Sequence, residues 1–168
     1  MIDHGTVTPL RRPPIRRSTL VRSSREHTFG VFVDTIGDWW PLQPYSLGGE
    51  RVRAVAFDRR EGGRVHETWD DGTERTWGHV LAWDPPAGFA MTWEVTPVTT
   101  EVELTFRALG PALTKVDVEH RGWELTDDQF AGAATGYAAG WVAILASLAA
   151  AAAPSDHDTP TDPERSSP

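Results

Sequence analysis

The sequence predicts an α+β domain in which a curved antiparallel sheet of six to seven strands wraps on one long C-terminal helix. Three observations carry this. From Arg51 to Arg121 the apolar residues alternate, which is the period of strands with one buried face. From Thr126 to Ala150 the period changes: Phe130, Ala134, Tyr137, Trp141, Ile144 and Leu148 recur at steps of four and three and share one helical stripe. Finally, 8 Trp and 6 Phe among 168 residues supply a substantial core, and Trp rings suit half-open cavities as well as packed interiors.

In chain order, Ile15 to Arg22 reads as a first strand. Ser24 caps a short helical region in which Phe29, Phe32, Val33, Ile36 and Trp40 keep helical spacing until Pro41 ends it. The turn-rich PLQPYSLGGE connects to the sheet. RVRAVAFD, RVHETWD, ERTWGHVLAW and FAMTWEV follow as strands, separated by turns at Gly62-Gly63, Asp71-Gly72 and Asp84-Pro85-Pro86. TTEVELTFR and LTKVDVEHR form the most regular pair. Val102, Leu104 and Phe106 mark the inner face of one, and Val116, Val118 and His120 that of the other. Thr126 and Gln129 form a capping box for the last helix, with Asp127 and Asp128 at the end where its dipole favours negative charge. Residues 1–14 and 154–168 have the Pro-, Arg-, Ser- and acid-rich composition of disordered tails, which leaves 15–153 as one domain.

Charge and composition narrow the function. A net charge of −8, with Lys115 as the one lysine, opposes binding to a phosphate backbone, so nucleic acid is not an expected partner. With no cysteine there is neither a disulfide framework nor a thiolate metal site. The N-terminal basic run lacks the apolar segment of a signal peptide, and the Ala-rich last helix is amphipathic, so the expectation is a cytoplasmic protein without membrane insertion.

The run Gly78-His79-Val80-Leu81-Ala82-Trp83-Asp84-Pro85-Pro86, followed by Phe89-Ala90-Met91-Thr92-Trp93, resembles the core pattern of the activator of heat-shock-protein-ninety ATPase-like family. Trp39-Trp40-Pro41, the double Gly before RVHETW, the strand ending His120-Arg121-Gly122-Trp123, and Gly140-Trp141 with Leu145 fall in the family's order. The resemblance covers about Ile15 to Ala150. It implies the helix-grip (START-like) fold of the SRPBCC superfamily, whose members include lipid carriers, hormone receptors and cyclases. Direct chaperone binding is not expected, since the eponymous co-chaperone has a separate chaperone-binding domain ahead of this one.

No nucleophile-elbow, phosphate-loop, dinucleotide or zinc-protease motif is present, and the six His (4, 27, 66, 79, 120 and 157) lack metal-ligand spacing. No cofactor and no metal are expected. Glu67 shares its strand face with Val65 and Trp69, and His120 shares its face with Val116 and Val118. If those faces meet the helix, a carboxylate and an imidazole reach the cavity, as polar anchors or as an acid–base pair. The alternative is a buried group satisfied by the backbone. Trp40, Trp69, Trp93, Phe106, Tyr137 and Trp141 complete the expected ligand-binding set, with core packing as the alternative. Asp70-Asp71 is assigned to its turn. Gly132, Gly136, Ala139, Ala143 and Ser147 form the far side of the helix, an uncharged strip that could admit a second copy as a homodimer. Three functions remain open at this point: non-enzymatic binding of a small apolar or aromatic molecule between sheet and helix, a cyclase- or hydrolase-like enzyme using Glu67 and His120, and a chaperone-associated or regulatory interaction module.

Overall fold

Seven strands lie in the order β1-β7-β6-β5-β4-β3-β2, every neighbouring pair antiparallel. They are β1 (Ile15–Val21), β2 (Val52–Phe57), β3 (Arg64–Trp69), β4 (Glu74–Asp84), β5 (Gly88–Trp93), β6 (Thr100–Gly110) and β7 (Leu113–Arg121). This is a computed structural model, and it describes residues 12–123 and 127–154, the first turn of the last helix in backbone only. Strands β2 to β7 pair with their chain neighbours. β1 joins the β7 edge, with Ile15 opposite His120 and Val21 opposite Thr114.

The alternation of the sequence appears directly in the burial. Val102, Leu104, Phe106, Val116, Val118 and His120 are buried on the inner face. Outside, Arg121 pairs with Glu101 at 3.2 Å and Glu103 at 3.1 Å, across the same two strands. Bulges between Val65/His66 and between Val80/Ala82 interrupt the registers of β3 with β4 and β4 with β5. Such insertions bend a strand and strengthen its twist, which helps the sheet curl. The residue of β4 skipped in its pairing with β3 is Trp77, which is buried; the one skipped in its pairing with β5 is Leu81, which is exposed.

The helical region after β1 departs from expectation. Ser24 does cap α1 (Arg25–Asp34), its hydroxyl accepting the His27 N–H at 3.2 Å. The helix then breaks at Thr35, whose φ of −123° is not helical and whose hydroxyl bonds the Val31 carbonyl at 2.8 Å. A separate turn, α2 (Ile36–Trp39), follows. The break turns the chain so that Phe29, Phe32, Val33, Ile36, Trp39 and Trp40 are all buried, more apolar surface than one straight helix would place inward. The turn-rich connector is itself ordered into α3 (Leu42–Tyr45) and a 3₁₀ turn at Gly49–Arg51.

The last helix, α4 (Asp127–Ala152), covers the inner face of the sheet and lies along β1 and α1. It runs two residues beyond the expected Ala150. Trp141, Ile144, Leu145 and Leu148 are buried, and the expected stripe is their line. The capping box at Thr126 and Gln129 and the side chain of Phe130 lie outside the described residues. By length and composition alone Ala131–Ala152 could cross a membrane, with a mean hydropathy of 1.5. Trp141, Ile144, Leu145 and Leu148 are the large side chains of that segment turned into the core, while Val142 is exposed.

Candidate functional site

Between α4, the connector and the β4–β5 part of the sheet the interior stays open as a cavity of about 420 Å³. Its walls are the indoles of Trp40, Trp77, Trp93 and Trp141. The connector contributes Tyr45, Ser46 and Leu47, and α4 contributes Gly132, Gly136, Tyr137 and Gly140. None of the lining residues carries an ionised side chain.

Each wall indole is held by its N–H from behind or from the side. Trp40 donates to the Tyr45 carbonyl at 2.7 Å, Trp77 to Glu67 Oε2 at 2.6 Å, and Trp141 to His120 Nδ1 at 3.1 Å. Trp93 donates over a longer 3.4 Å to the Tyr137 hydroxyl. A buried indole needs a partner for its one polar atom, so these bonds fix which way every ring faces. The rings tilt on one another with centroids 5.0 Å apart for Trp40 and Trp77, and 5.8 Å for Trp93 and Trp141.

The two sequence candidates for acid–base work stand behind this wall. Glu67 is fully buried, and its oxygens accept four N–H groups: Leu47 at 3.1 Å, Gly48 at 2.6 Å, Trp69 at 2.7 Å and Trp77 at 2.6 Å. It thus ties the connector to the sheet and holds one wall ring. His120, also fully buried, accepts from Trp141 at Nδ1. That leaves the proton on Nε2, which donates to Thr100 Oγ1 at 2.7 Å. Burial pushes its pKa down to about 3, so the ring is neutral at any ordinary pH. The expectation that both groups reach into the cavity is therefore corrected. Alternation told which face of the strand they occupy, but large rings from neighbouring strands and from α4 stand in front of them.

The remaining expected residues divide. Trp40, Trp93, Tyr137 and Trp141 line the cavity. Phe106 does not; it packs among Phe29 and Phe32 with ring centroids 5.1 and 5.9 Å away. Trp69 lies outside too, its ring under the guanidinium groups of Arg51 at 4.4 Å and Arg75 at 5.2 Å. Asp71 is a turn residue, accepting the Thr73 N–H at 2.9 Å and pairing with Arg51 at 3.0 Å. Among the described residues no cluster of His, Asp and Glu could hold a metal ion.

Sequence reasoning missed Trp77, Tyr45 and the glycines. For Trp77 the signal was a phase slip in ERTWGHVLAW, where Trp77 and Val80 are both buried although an unbroken alternation puts them on opposite faces. The glycines were assigned to the outer side of α4; Gly132 and Gly136 instead open on the cavity, and Ser147 of that supposed outer strip donates to the Trp39 carbonyl. Tyr137 keeps its phenol pKa above the usual value because it is buried, with the Trp93 N–H pulling the other way.

A curled antiparallel sheet gripping a C-terminal helix, with short helices after the first strand, places the protein in the helix-grip class of the SRPBCC superfamily. Within it, the chain belongs to the activator of Hsp90 ATPase homolog 1-like family, which it matches over residues 23–153. No curated protein sequence matches it. Among solved structures it is similar to the anthrahydroquino-gamma-pyrone synthase Txn09, complexed with SUM. The two are 30% identical over 86% of this chain and 99% of that one, with a TM-score of 0.55. It is also similar to CalC, a self-sacrificing resistance protein from Micromonospora echinospora, at 26% identity over 89% of this chain and 98% of that one, with a TM-score of 0.67. Protein CV1439 from Chromobacterium violaceum, 19% identical over 86% of this chain and all of its own, shares the fold at a TM-score of 0.62.

Proposed function

We propose that the protein binds a small, apolar aromatic molecule in the cavity between sheet and α4, in the cytoplasm, without chemistry of its own. The observation that supports this best is the wall itself. Four indole faces surround about 420 Å³ of space, their N–H groups are engaged elsewhere, and no ionised side chain lines it. Such a surface offers stacking and apolar burial, and offers nothing that a charged ligand needs. The alternative use of Glu67 and His120 as acid and base loses its support, because all four acceptor contacts of the one and both ring nitrogens of the other are occupied within the fold.

The 30% identity to a synthase favours a second reading, turnover of an aromatic substrate in the same cavity by other groups. One experiment addresses both. Freshly purified protein is denatured and the released small molecules identified by mass spectrometry; the compounds found, and a panel of fused-ring aromatics, are then titrated calorimetrically with product analysis alongside. Binding without product supports the carrier reading, and product formation supports the second. If nothing is released and no panel member binds with a Kd below about 1 mM, the cavity is not a ligand site.

A further inference from the structure

The glycines of α4 and the phenol of Tyr137 say more about the ligand. Gly132, Gly136 and Gly140 recur every four residues and so form a single strip on the helix. An interior glycine costs a helix about 1 kcal/mol against alanine, and this helix is otherwise built largely of alanine. Packing explains one of the three: a Cβ at Gly140 would meet the Tyr45 ring at 3.1 Å. At Gly132 and Gly136 an added Cβ would meet nothing within 4 Å. Nothing in the fold itself requires those two to be bare. What their bareness does is leave the helix backbone uncovered and exposed at both positions, an open strip where it lines the cavity.

Both tyrosines of the chain line the same cavity, and Tyr137 is the one whose oxygen is held. Its ring packs against His120 and Trp123 with centroids 5.0 and 5.3 Å away, and its oxygen accepts the Trp93 N–H. Among the described residues no acceptor takes its own proton. The hydroxyl is therefore a positioned hydrogen-bond donor in an uncharged, largely apolar space, whose other side-chain hydroxyls are Ser46, which donates to the Leu42 carbonyl at 2.5 Å, and Tyr45. Its raised pKa keeps it protonated, hence a donor, throughout the neutral range.

We infer that the ligand is a flat, uncharged, fused-ring molecule that lies along the Gly132–Gly136 strip and carries an acceptor oxygen, such as a ring carbonyl, to which the Tyr137 hydroxyl donates. This rests on the reading of the cavity as a ligand site. A planar ring fits between a bare helix backbone and indole faces, and a donor held in place selects an acceptor at one place on its edge. An anionic ligand is disfavoured twice, by the absence of any cation in the wall and by the Glu67 carboxylate behind Trp77.

The test uses three probes of one shape: 9-fluorenone, fluorene, which lacks the carbonyl, and 9-fluorenone-2-carboxylate. Calorimetry is run on the full chain and on Tyr137→Phe and Gly136→Leu, each checked for cooperative melting. The wild type should bind fluorenone about tenfold more tightly than fluorene, the scale of one well-placed hydrogen bond, and the carboxylate at least about tenfold more weakly than fluorenone. Tyr137→Phe should erase the fluorenone preference while leaving fluorene affinity unchanged. Gly136→Leu should weaken fluorenone and fluorene alike, about tenfold or more, without lowering the melting temperature. Equal binding of fluorenone and fluorene by the wild type, or a preference that survives Tyr137→Phe, overturns the donor assignment while the cavity reading stands. Full affinity in Gly136→Leu overturns the strip as the seat of the ligand, and tight binding of the carboxylate overturns the requirement for a neutral ligand. If neither fluorenone nor fluorene binds at all and the purified protein releases nothing, the cavity reading falls and this inference with it.

Discussion

Two halves of the same interior differ in their aromatic residues: phenylalanines, with Trp39 and Trp83 beside them, pack one closely, and four tryptophans stand around open space in the other. Phe29, Phe32, Phe57, Phe89 and Phe106 meet mostly edge to face, with centroids between 5.0 Å (Phe57 to Phe89) and 6.3 Å (Phe29 to Phe89). Trp40, Trp77, Trp93 and Trp141 stand around open space. A phenyl ring has no polar atom, so its orientation is set only by the atoms around it, and a cluster of such rings is stable when it closes on itself. An indole can be fastened at one atom. With its N–H bonded to a carbonyl, a carboxylate, a phenol or an imidazole, each wall ring is kept from tipping into the void beside it. The buried Glu67 and His120 are thus the fixings of a wall: every contact of their polar atoms is made within the fold, and each of the two holds a wall indole.

The contrast can be broken most forcefully at Phe106. Phe106→Ala leaves a void in a closed cluster and should lower unfolding free energy by about 3 to 5 kcal/mol, measured by denaturant titration, while aromatic probe affinity of the folded protein stays as in wild type. A large loss of affinity there would show that the two halves are one unit.

Next in size is Glu67→Gln, which keeps the shape but sets an NH₂ group against two of the four N–H donors. The expected cost is about 2 to 4 kcal/mol, from buried donors left unsatisfied, with a weaker hold on Leu47 and Gly48 at the cavity rim. A variant as stable as wild type would mean that the carboxylate does not fasten the wall.

The smallest effect per step is the pH dependence from His120. The unfolded chain takes up a proton on this ring near the ordinary His pKa of about 6.5, whereas the folded state resists it down to about 3. The contribution is complete above the unfolded value and is lost as pH falls through that window, at about 1.4 kcal/mol per pH unit. His120→Gln should unfold with a shallower acid slope than wild type, and the ring resonances of His120 should not titrate between pH 7 and pH 5 in an NMR series. Titration of that ring in the folded protein would place His120 in contact with water and remove it from the wall.

Which residues are buried could largely be read from the chain, because a buried face is what periodicity reports. The alternation of β6 and β7 marked Val102, Leu104, Phe106, Val116, Val118 and His120, and all six are buried. The stripe on α4 marked Trp141, Ile144 and Leu148 in the same way. The hollow half was less legible, since period names a face without naming what stands opposite it. Nothing local says that the carboxylate of Glu67 receives N–H groups from a connector twenty residues earlier, or that Trp77 is the extra residue of a bulge. The strip of glycines was read as lying away from the sheet, where small residues suggest a partner molecule. Gly132 and Gly136 proved instead to face the open space of the cavity.

The four wall indoles also have an optical consequence. Trp40 lies 5.0, 6.2 and 5.9 Å from Trp77, Trp93 and Trp141, centroid to centroid, and all four rings are held in fixed tilts. At such separations their transition dipoles couple, and excitation of one is shared among the others faster than it is emitted. Such a group should act as one chiral chromophore, and an exciton couplet in circular dichroism is the expected signature. A guest resting against a single ring changes the light from all four.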